Sequence, residues 1–243
     1  MQTTHDIREA LVKKYLDQDF VIDKTGQKVI ELIGESFIAD DETIFGKPNY
    51  EYIAREIEWY LGMSLNVNDI PGKVPKIWKE VATPEGFINS NYGYLVFHED
   101  NHYQFDCVVD ELMNNPDSRR AQMIYTRPSI WEDYNFNGMS DFICTDAVQY
   151  FIRKNRLIVN VRMRSGDAWA GFRNDFAWQR EVQKMVHERL SHVKYPELQL
   201  GEIIWTVGSL HLYERQFYLI EHYIHTGEYL VDRSEIKQNE ISS

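Results

Sequence analysis

A chain of 243 residues with 43% hydrophobic content is long enough to build one large domain with a substantial core, and it need not be divided. Its formal charge of −12, from 26 Lys and Arg against 38 Asp and Glu, excludes general attraction to nucleic acid or an acidic membrane, so any phosphate-bearing ligand is expected to be small and held by a few placed basic side chains. Two cysteines exclude a disulfide framework, no apolar run approaches the roughly 18 residues of a membrane-spanning helix, and the charged start MQTTHDIREALVKK is not signal-like, so a soluble protein that stays in a reducing cytosol is expected.

In chain order, HDIREALVKKYLDQDF places Ile7, Leu11, Tyr15 and Leu16 at helical spacing, and Phe20 to Ala39 reads as extended chain broken at Thr25-Gly26. A second helix is predicted after Pro48-Asn49, where Asn49 can cap, through YEYIAREIEWYLG, with Ile53, Ile57 and Tyr60 or Leu61 facing inward and Gly62 at its end. From Asn66 to Tyr94 the abundance of Pro, Gly and Asn around Trp78 and Tyr92 predicts ordered loops. HYQFDCVVDELMNNP reads as a helix stopped by Pro116. RAQMIYTR, FICTDAVQYFIR and RLIVNVRMR are β-rich, the first two separated by the polar insert WEDYNFNG. NDFAWQREVQKMVHERLSHV carries Val182, Met185, Val186 and Leu190 at helical intervals, GEIIWTVGSLHLY is strand-like, and ERQFYLIEHYIHTG closes as a helix near Gly227, before a polar tail after Arg233. With no repeat or linker, residues 1–243 read as a single mixed α+β domain whose strands share one sheet.

Several residues could carry chemistry, each with a plainer alternative. Cys144 in SDFICTDAVQY has no local CxxC and no adjacent base, and a lone strand cysteine is more often a small packed apolar residue than a nucleophile. Arg119-Arg120 at a helix-to-strand junction, and Arg164-Ser165 with Asp167 at a strand end, suit a phosphate because guanidinium offers forked donors; the alternative is solvated charge. His211 and Tyr213 alternate along one strand and so share a face, as two groups aimed at one ligand need, or else the histidine is a satisfied core residue. Glu56, beside Ile53 and Tyr60, is either a proton shuttle of raised pKa or a snorkelling surface acid.

Nine segments in order join these signals: VIDKTGQKVIELIG, IFGKPNYEYIAREIEWYLG, IPGKVPKIWKEVA, INSNYGY, NPDSRR with MIYTRPS, NGMSDFICTDAVQY, VRMRSGD, GFRNDFAWQ and IIWTVGSLHLYERQFYLIEHYIHTGE. Over nearly the whole chain they resemble the thymidylate synthase superfamily, and within it the bacteriophage deoxycytidylate hydroxymethylases. The resemblance implies a large mixed β-sheet flanked by helices, with two subunits packed back to back through their sheets. It also implies roles. Cys144 matches the nucleophile, Glu56 the acid that manages protons around the ring, and Tyr92 a second group of the proton network. Arg164 and Ser165 match phosphate ligands, with Arg164 a candidate to activate the thiol, and Arg119 and Arg120 match arginines that complete the partner subunit's phosphate site. Lys24 stands where synthases usually have another phosphate-binding Arg, His211 and Tyr213 match the pair on the sugar hydroxyl, and Trp78 and Asp167 match folate-facing groups.

Two departures from the synthase pattern imply a different reaction. Asp175 replaces the Asn that reads uracil; a carboxyl can pair with the N3 and N4 edge of cytosine in either protonation state, so it is the expected base selector, with a helix-capping Asp as the alternative. Val81 replaces the second Trp of IWxEW, leaving room near the folate and the reacting carbon for a water molecule. Thr145 and Ile143 also differ, without an assignable role. The implied activity is hydroxymethylation of dCMP with 5,10-methylenetetrahydrofolate as co-substrate and no metal, in a cytoplasmic homodimer needing neither nucleic acid nor membrane. Alternatives are the same chemistry on CMP or dUMP, or a nucleotide-binding homologue without catalysis.

Overall fold

The computed structural model describes residues 1–23 and 26–236. The hydrogen-bonded strand order is β1 (Gln2–Thr3), β3 (Lys28–Ile38), β7 (Gln199–Tyr213), β6 (Arg156–Asp167), β5 (Thr145–Arg153) and β4 (Gln122–Ile124), with β2 (Val21–Ile22) beside β3. The chain forms two compact units, one of residues 1–49, 164–177 and the described residues from Ile204 onward, the other of residues 50–163 and 178–203. Each holds its own stretch of β6 (Arg156–Asp167) and β7 (Gln199–Tyr213). No helix among the described residues is long and apolar enough to cross a membrane.

In the first unit, α1 (Thr4–Leu16) starts at a capping box: Thr3 Oγ1 accepts the Asp6 N–H at 3.4 Å while Asp6 accepts the Thr3 N–H at 2.8 Å. Ile7, Leu11 and Val12 form its buried stripe; Tyr15 is half-buried and Leu16 points to solvent, because the last turn carries the ion pairs Lys13–Asp17 and Lys14–Asp19. Helix α1 packs on β3 (Lys28–Ile38), which runs antiparallel to β7 from Val29↔Tyr213 to Ile38↔Ile204. The two-residue strands β1 (Gln2–Thr3) and β2 (Val21–Ile22) also pair with β3; β2 falls in the stretch expected to be extended, and β1 is too short for periodicity to reveal. Phe37 and Trp205 enclose Phe172 at 5.9 and 5.2 Å between ring centres. Arg8 is buried against α1's neighbours, donating to Ile44 O at 2.7 Å with its guanidinium 3.5 Å over the Tyr229 ring. Helix α8 (Phe217–Thr226) ends one residue before Gly227, as its sequence predicts.

The second unit holds α2 (Tyr50–Leu61), α3 (Lys76–Val81), α4 (Tyr92–Phe97), α5 (Gln104–Asn114), β4 (Gln122–Ile124), α6 (Ile130–Asp133) and β5 (Thr145–Arg153). The stretch 66–94, expected to be loops, contains α3 and the start of α4, helices of six residues each that show too little of a period to stand out. The insert expected between strands likewise contains all but the first residue of α6. Helix α5 begins two residues later than its pattern suggests, because His102 and Tyr103 adopt left-handed backbone. Strands β5 and β6 form a hairpin closed by Lys154 and Asn155, both at positive φ, the turn geometry that suits strand twist. Helix α7 (Ala170–Val193) starts four residues before the predicted NDF segment. In this unit its Val182, Val186 and Leu190 are buried as expected, Met185 is half-buried, and the buried Gln183 donates to Leu157 O at 2.8 Å and Gly201 O at 3.1 Å, joining the helix to β6 and β7.

Candidate functional site

In the second unit α2 brings Glu56 together with Trp78. Its buried face is Ile53, Glu56, Trp59 and Tyr60; Ile57 is half-buried and Leu61 exposed, so Glu56 lies within the apolar stripe where the sequence pattern had placed Ile57. At 5% exposure Glu56 is no surface acid. Its Oε1 accepts from the Tyr52 hydroxyl and from Trp78 Nε1 at 3.1 Å, while Trp78 Nε1 is also 2.9 Å from the Tyr52 oxygen. Burial pushes the Glu56 carboxyl up to about 7, opposed by these two donors.

An aromatic series extends from this corner. Trp78 meets Trp59 edge-on at 5.2 Å, Tyr60 stacks on Tyr92 at 5.3 Å, and Tyr92 meets Tyr125 edge-on at 5.3 Å. Tyr92 is thus buried in α4, whose Gly93 lies against α2: a Cβ there would fall 1.7 Å from Tyr60 O, so only glycine allows the approach. Val81, half-buried at the end of α3, accepts the Ser140 N–H at 2.8 Å through its carbonyl, tying α3 to the segment before Cys144.

Cys144 precedes β5 instead of lying within it, and it is half-buried, with Sγ 3.8 Å from Phe142 O. The packed-core alternative therefore loses its premise. The next residues are irregular: Thr145 pairs with Met163 and Ala147 with Arg162, leaving Asp146 as an extra residue whose carbonyl accepts the Tyr125 N–H at 3.0 Å. Bulges of this kind re-aim side chains beside sites, and nothing in the sequence marks this one. Ile143 and Thr145 are fully buried, the latter with Oγ1 3.1 Å from Met163 Sδ, which gives both a packing role.

Arg119 and Arg120 are exposed on the loop after α5. Glu111 accepts from Arg120 at 3.1 and 3.2 Å and from Ser118 Oγ at 2.5 Å, and these bonds hold its carboxyl below the usual range. Arg153 donates to Asp117 O at 3.1 Å and Gln149 to Arg119 O at 2.7 Å, so the loop has a set shape.

In the first unit, Arg164 is exposed, and Ser165 and Asp167 are half-buried at the end of β6. Gly208 of β7 lets the strands meet there, since a Cβ would fall 2.7 Å from Arg164 O. Asp167 accepts the Trp169 N–H at 2.7 Å through Oδ1, and no donor among the described residues reaches Oδ2. Burial raises its carboxyl above the usual range, opposed by that bond and by His211, Arg215 and Arg173. His211 and Tyr213 share the half-buried face opposite Leu210 and Leu212, their rings 5.0 Å apart, so His211 is no core residue. Asp175 is half-buried in the second turn of α7, past any capping position, with Oδ2 on the Gly171 side. Lys24 lies outside the described residues.

Tyr52 and Arg173 went unrecognised in the sequence. Tyr52 sits one helical turn before Glu56, and that spacing was the available signal.

A mixed sheet flanked by helices, carrying a buried acid beside indole and phenol groups, has a known counterpart. The thymidylate synthase family profile matches residues 21–242, and the chain belongs to that family. Within it, the chain is 53% identical over 227 residues to the deoxycytidylate 5-hydroxymethyltransferase of Enterobacteria phage T2, covering 93% of this chain and 92% of that protein. To the enzyme of the same name from Enterobacteria phage T4 it is 52% identical, over 96% and 95% of the two chains. Identity to a Francisella tularensis thymidylate synthase is 24%, over 82% of this chain and 77% of that one. The solved thermostable thymidylate synthase A of Bacillus subtilis superposes with a TM-score of 0.69 at 20% identity, over 95% of this chain and 87% of that one, so the fold is shared.

Proposed function

We propose that the chain is a deoxycytidylate 5-hydroxymethyltransferase that converts dCMP, 5,10-methylenetetrahydrofolate and water to 5-hydroxymethyl-dCMP and tetrahydrofolate. The observation that carries this reading is identity above one half, along nearly the full chain, to phage enzymes of that name. The thiolate of Cys144 adds to C6 of the cytosine, making C5 enamine-like and nucleophilic. Arg164 favours the thiolate by its charge. When bound, methylenetetrahydrofolate supplies a one-carbon unit at the oxidation level of formaldehyde, without giving up a hydride. C5 takes up that carbon, Glu56 and Tyr92 manage the proton that leaves C5 as the carbon parts from tetrahydrofolate, water adds to the exocyclic carbon, and Cys144 departs as C6 is restored.

The remaining roles follow the family. Arg164, Ser165 and Lys24 hold the phosphate, with Arg119 and Arg120 reaching it from the partner in a homodimer; His211 and Tyr213 hold the sugar, and Asp175 reads the base. Among the residues proposed to face the folate, the undonated Oδ2 of Asp167 fits the N–H groups of a pterin, and the half-buried Trp78 and Val81 fit an apolar ring wall. As a phage enzyme the protein acts in the host cytoplasm. Release of tritium from C5 of dCMP, compared between the wild type and Cys144→Ser, tests the proposal: release should fall by roughly a thousandfold or more, and equal release overturns it. Dihydrofolate accumulating in step with turnover overturns the hydroxymethyl outcome.

A further inference from the structure

The two oxygens of the Glu56 carboxyl are treated unequally. Tyr52 and Trp78 both donate to Oε1, and no donor among the described residues reaches Oε2. A neutral carboxylic acid keeps both of those bonds only when its proton sits on the other oxygen, because an O–H at Oε1 would oppose two donors. We propose that Tyr52 is a positioning residue for the reaction: its hydroxyl, with the Trp78 indole, pins Oε1 as a permanent acceptor and makes Oε2 the oxygen that exchanges protons with the substrate or its water.

The inference rests on the hydroxymethyltransferase reading and deepens it. The geometry is built by chain spacing, since Tyr52 and Glu56 are one turn apart on α2 and share its inward side, while α3 brings Trp78 across to both. Few other ionisable groups bear on the triangle. On α2, Arg55 lies 5.7 Å from the Tyr52 ring centre with its guanidinium donating to Pro71 O at 3.1 Å. On α3, Lys76 and Glu80 pair with each other at the surface, and α4 presents Tyr92, stacked on Tyr60, and Tyr94, bonded to Asp100. Burial pushes Tyr52 itself above the ordinary phenol value, so it remains a proton-bearing donor throughout the working range.

Tyr52→Phe removes the hydroxyl that donates to Glu56 Oε1, and with it the contact from Trp78 Nε1, and keeps the ring. We expect kcat for tritium release from C5 of dCMP to fall about tenfold, with KM for dCMP changed less than about threefold, as the loss of one charge-assisted bond would give. The pH midpoint of kcat that disappears in Glu56→Gln should move to higher pH, because a donor to the carboxylate has gone. In the Glu56→Gln background Tyr52→Phe should have no further effect. Should Tyr52→Phe not fold, 3,5-difluorotyrosine at position 52, a stronger donor of nearly the same shape, must move the midpoint to lower pH. An unmoved midpoint in the folded variants, or an equal loss in the Glu56→Gln background, overturns the inference while wild-type turnover stands. Absence of wild-type turnover of dCMP strikes the functional reading instead.

Discussion

Asp141 and Glu56 are both buried carboxylates of the same unit, yet they are satisfied in opposite ways. Asp141 takes the N–H groups of Asn89 at 2.7 Å and Ser90 at 2.8 Å on Oδ2, and the Ser90 hydroxyl at 2.6 Å on Oδ1. Both oxygens are bonded, and the bonds tie the strap before α4 to the segment leading into Cys144. Glu56 has its donors on one oxygen only, in surroundings apolar enough to carry its proton affinity close to neutrality. The distribution of donors, more than burial itself, separates a carboxylate that holds a loop from one able to give and take a proton.

The largest effect is expected at Glu56. Glu56→Gln keeps the shape but cannot exchange a proton, and kcat should fall by roughly 10²–10⁴-fold, measured as tritium release from dCMP. Its effect on stability should have the opposite sign. The folded carboxyl titrates near 7 against an ordinary 4.5, so between those values the folded protein holds a proton that the unfolded chain has released. That contribution is complete below the lower value and lost as pH rises through the upper one, which amounts to about 3.5 kcal/mol at about 1.4 kcal/mol per pH unit. Denaturant unfolding at pH 5 and pH 8 should therefore show Glu56→Gln gaining on the wild type as pH rises; a constant difference would place the proton elsewhere.

Asp141→Ala should reverse the pattern. It leaves two backbone N–H groups and a hydroxyl without an acceptor, and at 1–3 kcal/mol for each buried group left unpaired the loss should reach about 3 kcal/mol even after partial relaxation. For a chain of this size that lowers Tm by roughly 6–12 °C. A melt unchanged from wild type would show that the strap is held by something else, and the contrast with Glu56 would collapse.

The contrast was only partly legible in the sequence. Periodicity located α1, α2, α5, α7 and the strands β3 and β5 to β7, because each is long enough to repeat its pattern. It failed on α2 at the residue proposed to handle the proton: an apolar stripe drawn through Ile53 and Ile57 leaves Glu56 at its margin, and no pattern of hydrophobic residues can show that a carboxyl is inside. The ordered resemblance of nine segments supplied Glu56 and Cys144 as candidates. Neither pattern nor resemblance held the bulge at Asp146 or the clamp on Asp141, which arise from segments distant in the chain meeting in the fold, and Tyr52, though one turn from Glu56, gains its meaning only when Trp78 arrives from α3.

Asp175 extends the comparison to a third carboxylate and carries the smallest expected effect. It is half-buried in the second turn of α7 and belongs to neither class above, because its proposed partner is the base itself. Cytosine offers an acceptor at N3 and a donor at N4, so a carboxyl can meet both; uracil offers a donor at N3 and an acceptor at O4, which suits an amide. Asp175→Asn changes one oxygen to an NH₂ and leaves the helix intact. The ratio of kcat/KM for dCMP to that for dUMP should fall by about tenfold, the worth of one mismatched hydrogen bond, with little change in Tm. Unlike the effect at Glu56, this one should appear in the ratio between substrates and not in the position of the pH midpoint. If Asp175→Asn moves the midpoint and leaves the ratio alone, Asp175 belongs with Glu56 as a proton-handling group, and base selection must be sought in other side chains.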